Sequence, residues 1–384
     1  MRIGSVTFIA LSAASIASAS ASEQHGPHPK CRSLELSVWT AGDNIHFTNP
    51  PDQSDAAAIR NWLFSALADP TSSYMNGTES VSGVYRVGAT YCEPRGKRPH
   101  RKQHRTLQVL VHGMTYNKEL WAGLGASETY NWHAYATHAG YHTIAINRLG
   151  RGQLNTGGYP DPVTEVQSAL QDKFTQALLL QLRRGGFPAR LRLPSFDKII
   201  YVGHSFGSAL GNHVAKDNPN AADAYVLTGY SSTVALPVNL ILDFASAAVV
   251  NPARFSGLPL GYWAGQTESV RTGYMYAGNY DPALPPVDFA THDIFAVGEG
   301  LSPGFEMRVT DFTGPVLVVT GDLDTSFCPG GAVACPETLE RTRDLFPLAD
   351  FSVMMPRDTG HTLTLHLSAP EVIVEIHKWL DSYF

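Results

Sequence analysis

Glycines at 203 and 207 flank the segment Gly203-His204-Ser205-Phe206-Gly207, which breaks an apolar run, Ile199 to Val202, ahead of a helix-compatible one. A serine at the apex of a sharp strand-to-helix turn must adopt a strained backbone, and glycines two positions away remove side chains that would collide there. Ser205 is therefore a candidate nucleophile. Its hydroxyl is weak at neutral pH, so chemistry needs an imidazole to take the proton and a carboxylate to hold that imidazole in the right tautomer. Both types follow in the chain. Asp322 and Asp324 come after the apolar run Val316 to Thr320, and His361 comes after the run Phe351 to Met355. The chemistry expected of this set is acyl transfer to water, with no organic cofactor. No cysteine or histidine spacing reads as a zinc site, so no metal is expected.

Elements of two periods must position these residues. Thr106 to Val111 and Thr143 to Ile146 read as strands separated by a helix over Tyr130 to Ala139, and Phe174 to Arg184 reads as a helix before the strand at Ile199. Strand, helix, strand at this spacing predicts a parallel α/β sheet. Ala224 to Leu227, Val316 to Thr320 and Phe351 to Met355 extend it, and Pro370 to Leu380 predicts a closing helix. Leu34 to Phe47 and Val84 to Cys92 read as an antiparallel start to the sheet, with an amphipathic helix over Ala56 to Leu67 between them. From Gly229 to Gly314 the chain is rich in Pro, Gly and aromatics and lacks such periodicity. That stretch is too long for a simple loop and is expected to be an insertion that covers something.

At 384 residues with a net charge of -6, the chain has room for one large domain with an insertion, and nucleic acid is not an expected partner. Arg2, the apolar and small run to Ala19 and the small-x-small steps near Ala21 read as a secretory leader over residues 1–21. Its serines make it a poor membrane anchor, and no later stretch is apolar enough to span a bilayer. Four cysteines are then read as two disulfides or as four buried thiols. In an oxidising compartment the close pair Cys328 and Cys335 would close a small loop, leaving Cys31 with Cys92. Asn76-Gly77-Thr78 is a glycosylation sequon. The basic run Arg95 to Arg105 is expected to be a solvated hairpin tip.

Nucleophile, acid and histidine in that chain order, together with His112-Gly113-Met114, Asn147-Arg148-Leu149-Gly150-Arg151-Gly152, Gly321-x-x-Asp324 and Gly360-His361, resemble the α/β-hydrolases from about Leu34 to the end. Tyr91-Cys92-Glu93-Pro94, Phe327-Cys328 and the run Thr359 to His366 look more narrowly like secreted fungal members, mostly serine esterase-like enzymes of unassigned substrate. The resemblance implies an α/β-hydrolase fold with core residues 22–228 and 315–384 and a cap over residues 229–314. It implies Ser205 as nucleophile, His361 as general base and Asp324, rather than Asp322, as its orienting acid. The main-chain N–H groups of Met114 and Phe206 would form the oxyanion hole, while His112 and His204 would be structural. Many relatives carry Asp-Arg where this chain has Asn147-Arg148, a change expected to affect loop electrostatics and to leave the chemistry intact. Tyr262, Trp263, Tyr274, Tyr276, Tyr280, Phe289 and Phe295 would either line an apolar tunnel or form the cap's own core.

The implied function is a secreted serine hydrolase acting on an ester of a small to medium, apolar substrate; a small molecule is the expected partner. The same fold and triad also serve carbon-carbon bond hydrolases, lactonases and peptidases, and an idle site would leave a secreted binding protein.

Overall fold

The computed structural model describes residues 7–9, 29–68, 74–94, 105–150, 158–302, 304, 308–309 and 311–384. Its apolar runs become the centre of one sheet, and burial on both faces explains why they are continuous instead of alternating. The strands are β1 (Thr7–Ile9), β2 (Lys30–Phe47), β3 (Met75–Glu93), β4 (Thr106–Val111), β5 (His142–Ile146), β6 (Lys198–His204), β7 (Ala224–Thr228), β8 (Phe244–Ser246), β9 (Tyr262–Gly265), β10 (Phe295–Ala296), β11 (Pro315–Val319) and β12 (Asp350–Met354). Nine form the main sheet in the order β1-β12-β11-β7-β6-β4-β5-β3-β2. Pairing is parallel from β1 through β5, whereas β3 runs antiparallel to both β5 and β2.

Alternate residues of the central strands face opposite cores, as the two-residue repeat of a strand requires. Ile199 and Tyr201 pack with Phe174, Leu178 and Val214 of helices Ser168–Arg184 and Phe206–Asp217. Ile200 and Val202 pack on the other face with Trp132, Val372 and Ile376 of helices Trp132–Ala139 and Ala369–Asp381. The sheet is thus sandwiched between helical layers, and the parallel strands deliver their C-terminal ends to one edge.

Helix Ala56–Ala68 matches its prediction within a residue, but β2 and β3 are longer than expected. Their hairpin stays in register from Lys30–Glu93 to Ile45–Thr78 and brings Cys31 opposite Cys92, which are disulfide-bonded. Helix Ser168–Arg184 begins six residues before its expected start at Phe174, since Ser168, Leu170 and Gln171 are buried at its first turn. Asn76 is exposed, and it lies in the first residues of β3, not in a loop.

Among its described residues, the segment between β7 and β11 holds six short helices and a second, three-stranded antiparallel sheet, β10-β9-β8. Strands of two to four residues are too short to express a readable period, which is why this stretch looked irregular. Of the expected leader, Thr7–Ile9 are described and pair in parallel with Ser352–Met354; its remaining residues lie outside the described ones, as do 95–104 of the basic run. Among the described residues no helix is long and apolar enough to cross a membrane.

Candidate active site

Strand β6 ends at His204, helix Phe206–Asp217 starts at once, and Ser205 between them has φ 54° and ψ -121°. Few side-chain-bearing residues tolerate that conformation. The flanking glycines are required by close approach: a Cβ at Gly207 would lie 2.2 Å from the Val111 carbonyl oxygen, and one at Gly203 would lie 2.6 Å from the Gly207 oxygen. The turn is held from β7, where the Thr228 carbonyl accepts the Ser205 N–H at 2.9 Å and the Ser208 hydroxyl at 2.8 Å. The predicted elbow therefore exists, with its serine at the sheet edge.

The ends of β11 and β12 bring two further groups to the same edge. His361 Nε2 is 2.9 Å from Ser205 Oγ, and its Nδ1 is 2.8 Å from Asp324 Oδ2. The other Asp324 oxygen accepts the N–H groups of Ser326 at 2.9 Å and Phe327 at 3.0 Å, so the turn after β11 presents the carboxylate in one orientation. Both Asp324 and His361 are buried. Asp322 is not part of this chain of hydrogen bonds. It accepts the Thr359 N–H at 3.3 Å, and burial raises its carboxyl above the usual range.

Three rings enclose the imidazole. Phe327 stacks on His361 at 5.6 Å between centroids, Tyr274 packs at 5.1 Å and His204 at 5.0 Å. Burial, and next the nearby His361, hold His204 well below the ordinary histidine range, so it stays neutral when a proton arrives at its neighbour. His204 Nδ1 lies 3.2 Å from Thr228 Oγ1. His112, by contrast, bonds the backbone: its Nε2 accepts the Arg148 N–H at 3.1 Å, which leaves Nδ1 to donate to the Gly113 carbonyl at 2.8 Å. That bonding pins the loop carrying Met114.

Met114, Thr115, Tyr116, His204, Ser205, Phe206 and His361 border one cavity of about 50 Å³, whose remaining wall is Leu236, Leu240, Phe244, Tyr274, Met275 and Phe327. All but Phe327 of these come from the inserted segment. Of the seven aromatics singled out in that segment, Tyr274 lines the cavity, whereas Tyr262, Trp263 and Phe295 are packed into the cores.

Two buried ion pairs escaped the sequence reading. Arg148 pairs with Glu299 of the insertion, donates to Gln171 Oε1 at 2.8 Å and lies over the Phe206 ring at 4.6 Å. Arg271 bonds Asp288 Oδ1 at 2.7 Å and Thr115 Oγ1 at 2.7 Å, and the Tyr116 hydroxyl joins Asp288 Oδ2 and Thr362 Oγ1, each at 3.0 Å. The insertion is thus tied to the Met114 loop and to the residue after His361. Lone charges inside apolar stretches, such as Asp288 in Leu284-Pro-Pro-Val-Asp288-Phe-Ala, were the available signal, since a charge is rarely buried unpaired.

Cys328 and Cys335 are bonded beside the Asp324 turn, whereas Asn76 and the Cys31–Cys92 bridge belong to the β2–β3 hairpin at the opposite edge of the sheet. Among the described residues no group of three or more His, Cys, Asp and Glu could hold a metal ion.

The profile of the alpha/beta hydrolase family matches residues 108–376, well over half of the chain. Among solved structures, Rv0554 from Mycobacterium tuberculosis superposes with a TM-score of 0.48 at 15% identity, covering 78% of this chain and 94% of that one. A soluble variant of monoglyceride lipase from Saccharomyces cerevisiae, in complex with a substrate analogue, gives 0.49 at 15% identity over 77% and 92%. Carboxylesterase CesB (YbfK) from Bacillus subtilis gives 0.47 at 15% identity over 77% and 89%. No curated protein matches the sequence.

Proposed function

Because the chain belongs to the alpha/beta hydrolase family, we propose that it is a secreted serine hydrolase that transfers the acyl group of an ester to water through an acyl-enzyme. The observation that carries this reading is His361, bonded at once to Ser205 Oγ at 2.9 Å and to Asp324 Oδ2 at 2.8 Å.

Ser205 Oγ attacks the ester carbonyl carbon while its proton passes to His361 Nε2, and Asp324 stabilises the imidazolium through Nδ1. The carbonyl oxygen becomes an oxyanion, for which the N–H groups of Met114 and Phe206 are the donors. The bond to the alcohol then breaks as His361 returns the proton to the leaving oxygen. Water repeats the sequence, its proton going to His361 and then to Ser205, and the acid is released.

Residues 1–21 act as the leader, 22–228 and 315–384 as the catalytic core, and 229–314 as a cap. When the leader departs, the edge strand β1 goes with it and β12 becomes the sheet's edge. Two disulfides accord with an oxidising compartment, and the exposed side chain of Asn76 accords with a glycan there. The apolar wall of the cavity favours a small apolar acyl group.

A fluorophosphonate probe tests the central claim. Mass spectrometry should find the adduct on Ser205 in the parent protein and none in Ser205→Ala; an unlabelled, folded parent that cleaves no aryl ester would refute it.

A further inference from the structure

Two spaces of unequal size meet at helices Val238–Asp243 and Glu268–Met275. The cavity at Ser205 is about 50 Å³, and beside it lies a chamber of about 280 Å³ bordered by Pro237, Asn239, Ser269, Val270, Gly273 and Thr325. Leu240 and Tyr274 border both, so these two side chains are the partition.

The two spaces differ in chemistry as well as size. Leu236, Phe244, Met275 and Phe327 make the inner one apolar. The outer one presents the Asn239 amide and the Ser269 and Thr325 hydroxyls, all on solvent-exposed residues. An engineered 150 Å³ cavity accepts benzene, so the inner space holds on the order of two to four carbons.

Direction follows from the proton. Ser205 and His361 both border the inner cavity, so the ester bond lies there; the alcohol, which His361 protonates and which leaves first, departs past Tyr274, which packs against that imidazole at 5.1 Å and also borders the outer chamber. The acyl group stays on Ser205 after the alcohol has gone, and it occupies the cavity that Ser205 itself borders. The Tyr274 side of the partition is fixed: the Thr362 N–H donates to the Met275 carbonyl at 3.0 Å and the Asn279 N–H to the Asp358 carbonyl at 2.8 Å. Leu240 sits on a six-residue helix whose outer residues Val238 and Leu242 are exposed, its N–H donating to the Pro237 carbonyl at 3.0 Å.

Resting on the serine-hydrolase reading above, we infer that Leu240 and Tyr274 divide the substrate at its ester bond. A short acyl group fills the inner cavity, and a hydroxyl-bearing alcohol portion occupies the outer chamber. The substrate class is a short-chain acyl ester of a polar alcohol, and Leu240 sets the limit on acyl length.

The test uses p-nitrophenyl acetate and octanoate for the acyl side and glyceryl monoacetate and hexyl acetate for the alcohol side, with fluorophosphonate labelling in parallel. In the parent, kcat/KM for acetate should exceed that for octanoate by about a hundredfold, and Leu240→Ala should shrink the ratio about tenfold through a gain on octanoate. Asn239→Leu, an exposed change that spares the inner wall, should raise KM for glyceryl monoacetate about fivefold relative to that for hexyl acetate. Labelled, active protein that prefers octanoate, or an unchanged acyl ratio in a labelled Leu240→Ala, overturns the partition alone. Equal effects of Asn239→Leu on both acetates overturn the alcohol assignment. Absence of both labelling and turnover in the folded parent overturns the underlying reading and the partition with it.

Discussion

The Cys328 N–H donates to the Asp324 carbonyl oxygen at 2.8 Å, so the bridge from Cys328 to Cys335 is anchored on the turn that aims a carboxylate at His361. The N–H groups of Ser326 and Phe327, which bond that carboxylate, lie between the two anchored points. A loop this short contributes roughly 2 to 3 kcal/mol through unfolded-state entropy by the chain model, so the bridge serves placement as much as stability. Replacing both cysteines by serine is expected to lower kcat more than about tenfold in protein that still folds at room temperature. Steady-state kinetics beside a thermal melt would check this; a full kcat in the double variant would remove the bridge from the catalytic account.

Ser205 predicts a separation of activity from stability. Ser205→Ala and His361→Ala should each reduce ester hydrolysis on the order of 10⁶-fold, the scale seen when such triads are dismantled. Since Ser205 has φ 54°, Ser205→Gly should be equally inactive yet melt above Ser205→Ala, by about 1 kcal/mol of relieved strain. Calorimetry on the two variants decides it, and identical melting points would mean that the turn holds no strain.

For the acid, Asp324→Asn should lower kcat about 10⁴-fold by presenting the wrong partner to His361 Nδ1. Asp322→Asn should cost less than about tenfold, because Asp322 bonds the backbone of Thr359 and Asp358 beside that loop and not His361. The reverse ranking would transfer the orienting role to Asp322.

Arg148 and Glu299 are both essentially sealed from solvent. Arg148→Met removes a cation bonded to the buried Glu299 carboxylate and should destabilise the fold by about 3 to 5 kcal/mol. Adding Glu299→Gln should recover more than half of that loss, since glutamine removes the charge while its amide oxygen can still accept from Gln171 or Ala296. Urea titrations of the single and double variants measure the coupling, and an unrecovered double would assign the cost to lost packing.

Asp172 makes stability depend on pH. Burial pushes its carboxyl up to about 7, Gln176 donates to Oδ2 at 2.8 Å, and Oδ1 has no hydrogen-bond partner among the described residues. Lys173 offsets part of the burial from 3.6 Å away, while pairing with Asp217 at 2.6 Å. The folded state therefore holds a proton between about pH 4 and 7 that the unfolded chain has released, so this group's contribution is lost as pH rises through that window. Asp172→Asn should raise the melting temperature at pH 8 and gain less at pH 5. An equal gain at both would show that the carboxyl does not titrate there.

The central fold and the segments that meet at the candidate site were legible in the amino-acid order for one physical reason: buried parallel strands and a sharp turn impose composition locally. Ile199 to Val202, Gly203 and Gly207 satisfy constraints set by neighbours a few residues away, and the acid and histidine follow apolar strands that end at the same edge. The order of strands, and so the meeting of Ser205 with a histidine 156 positions later, needs the assembled sheet. Local order could not choose between Asp322 and Asp324 without the resemblance; the turn after β11 does so by directing one carboxylate to His361 and the other to the Thr359 backbone. Nor could it reveal the pairs Arg148–Glu299 and Arg271–Asp288, whose partners lie far apart in the chain and are driven together by the cost of burying charge alone. The wall of the Ser205 cavity was likewise decided in three dimensions. Of the described aromatics in the insertion, packing alone selected Tyr274 to stand between the inner cavity and the outer chamber, because strands and helices this short carry no period from which a facing side could be read.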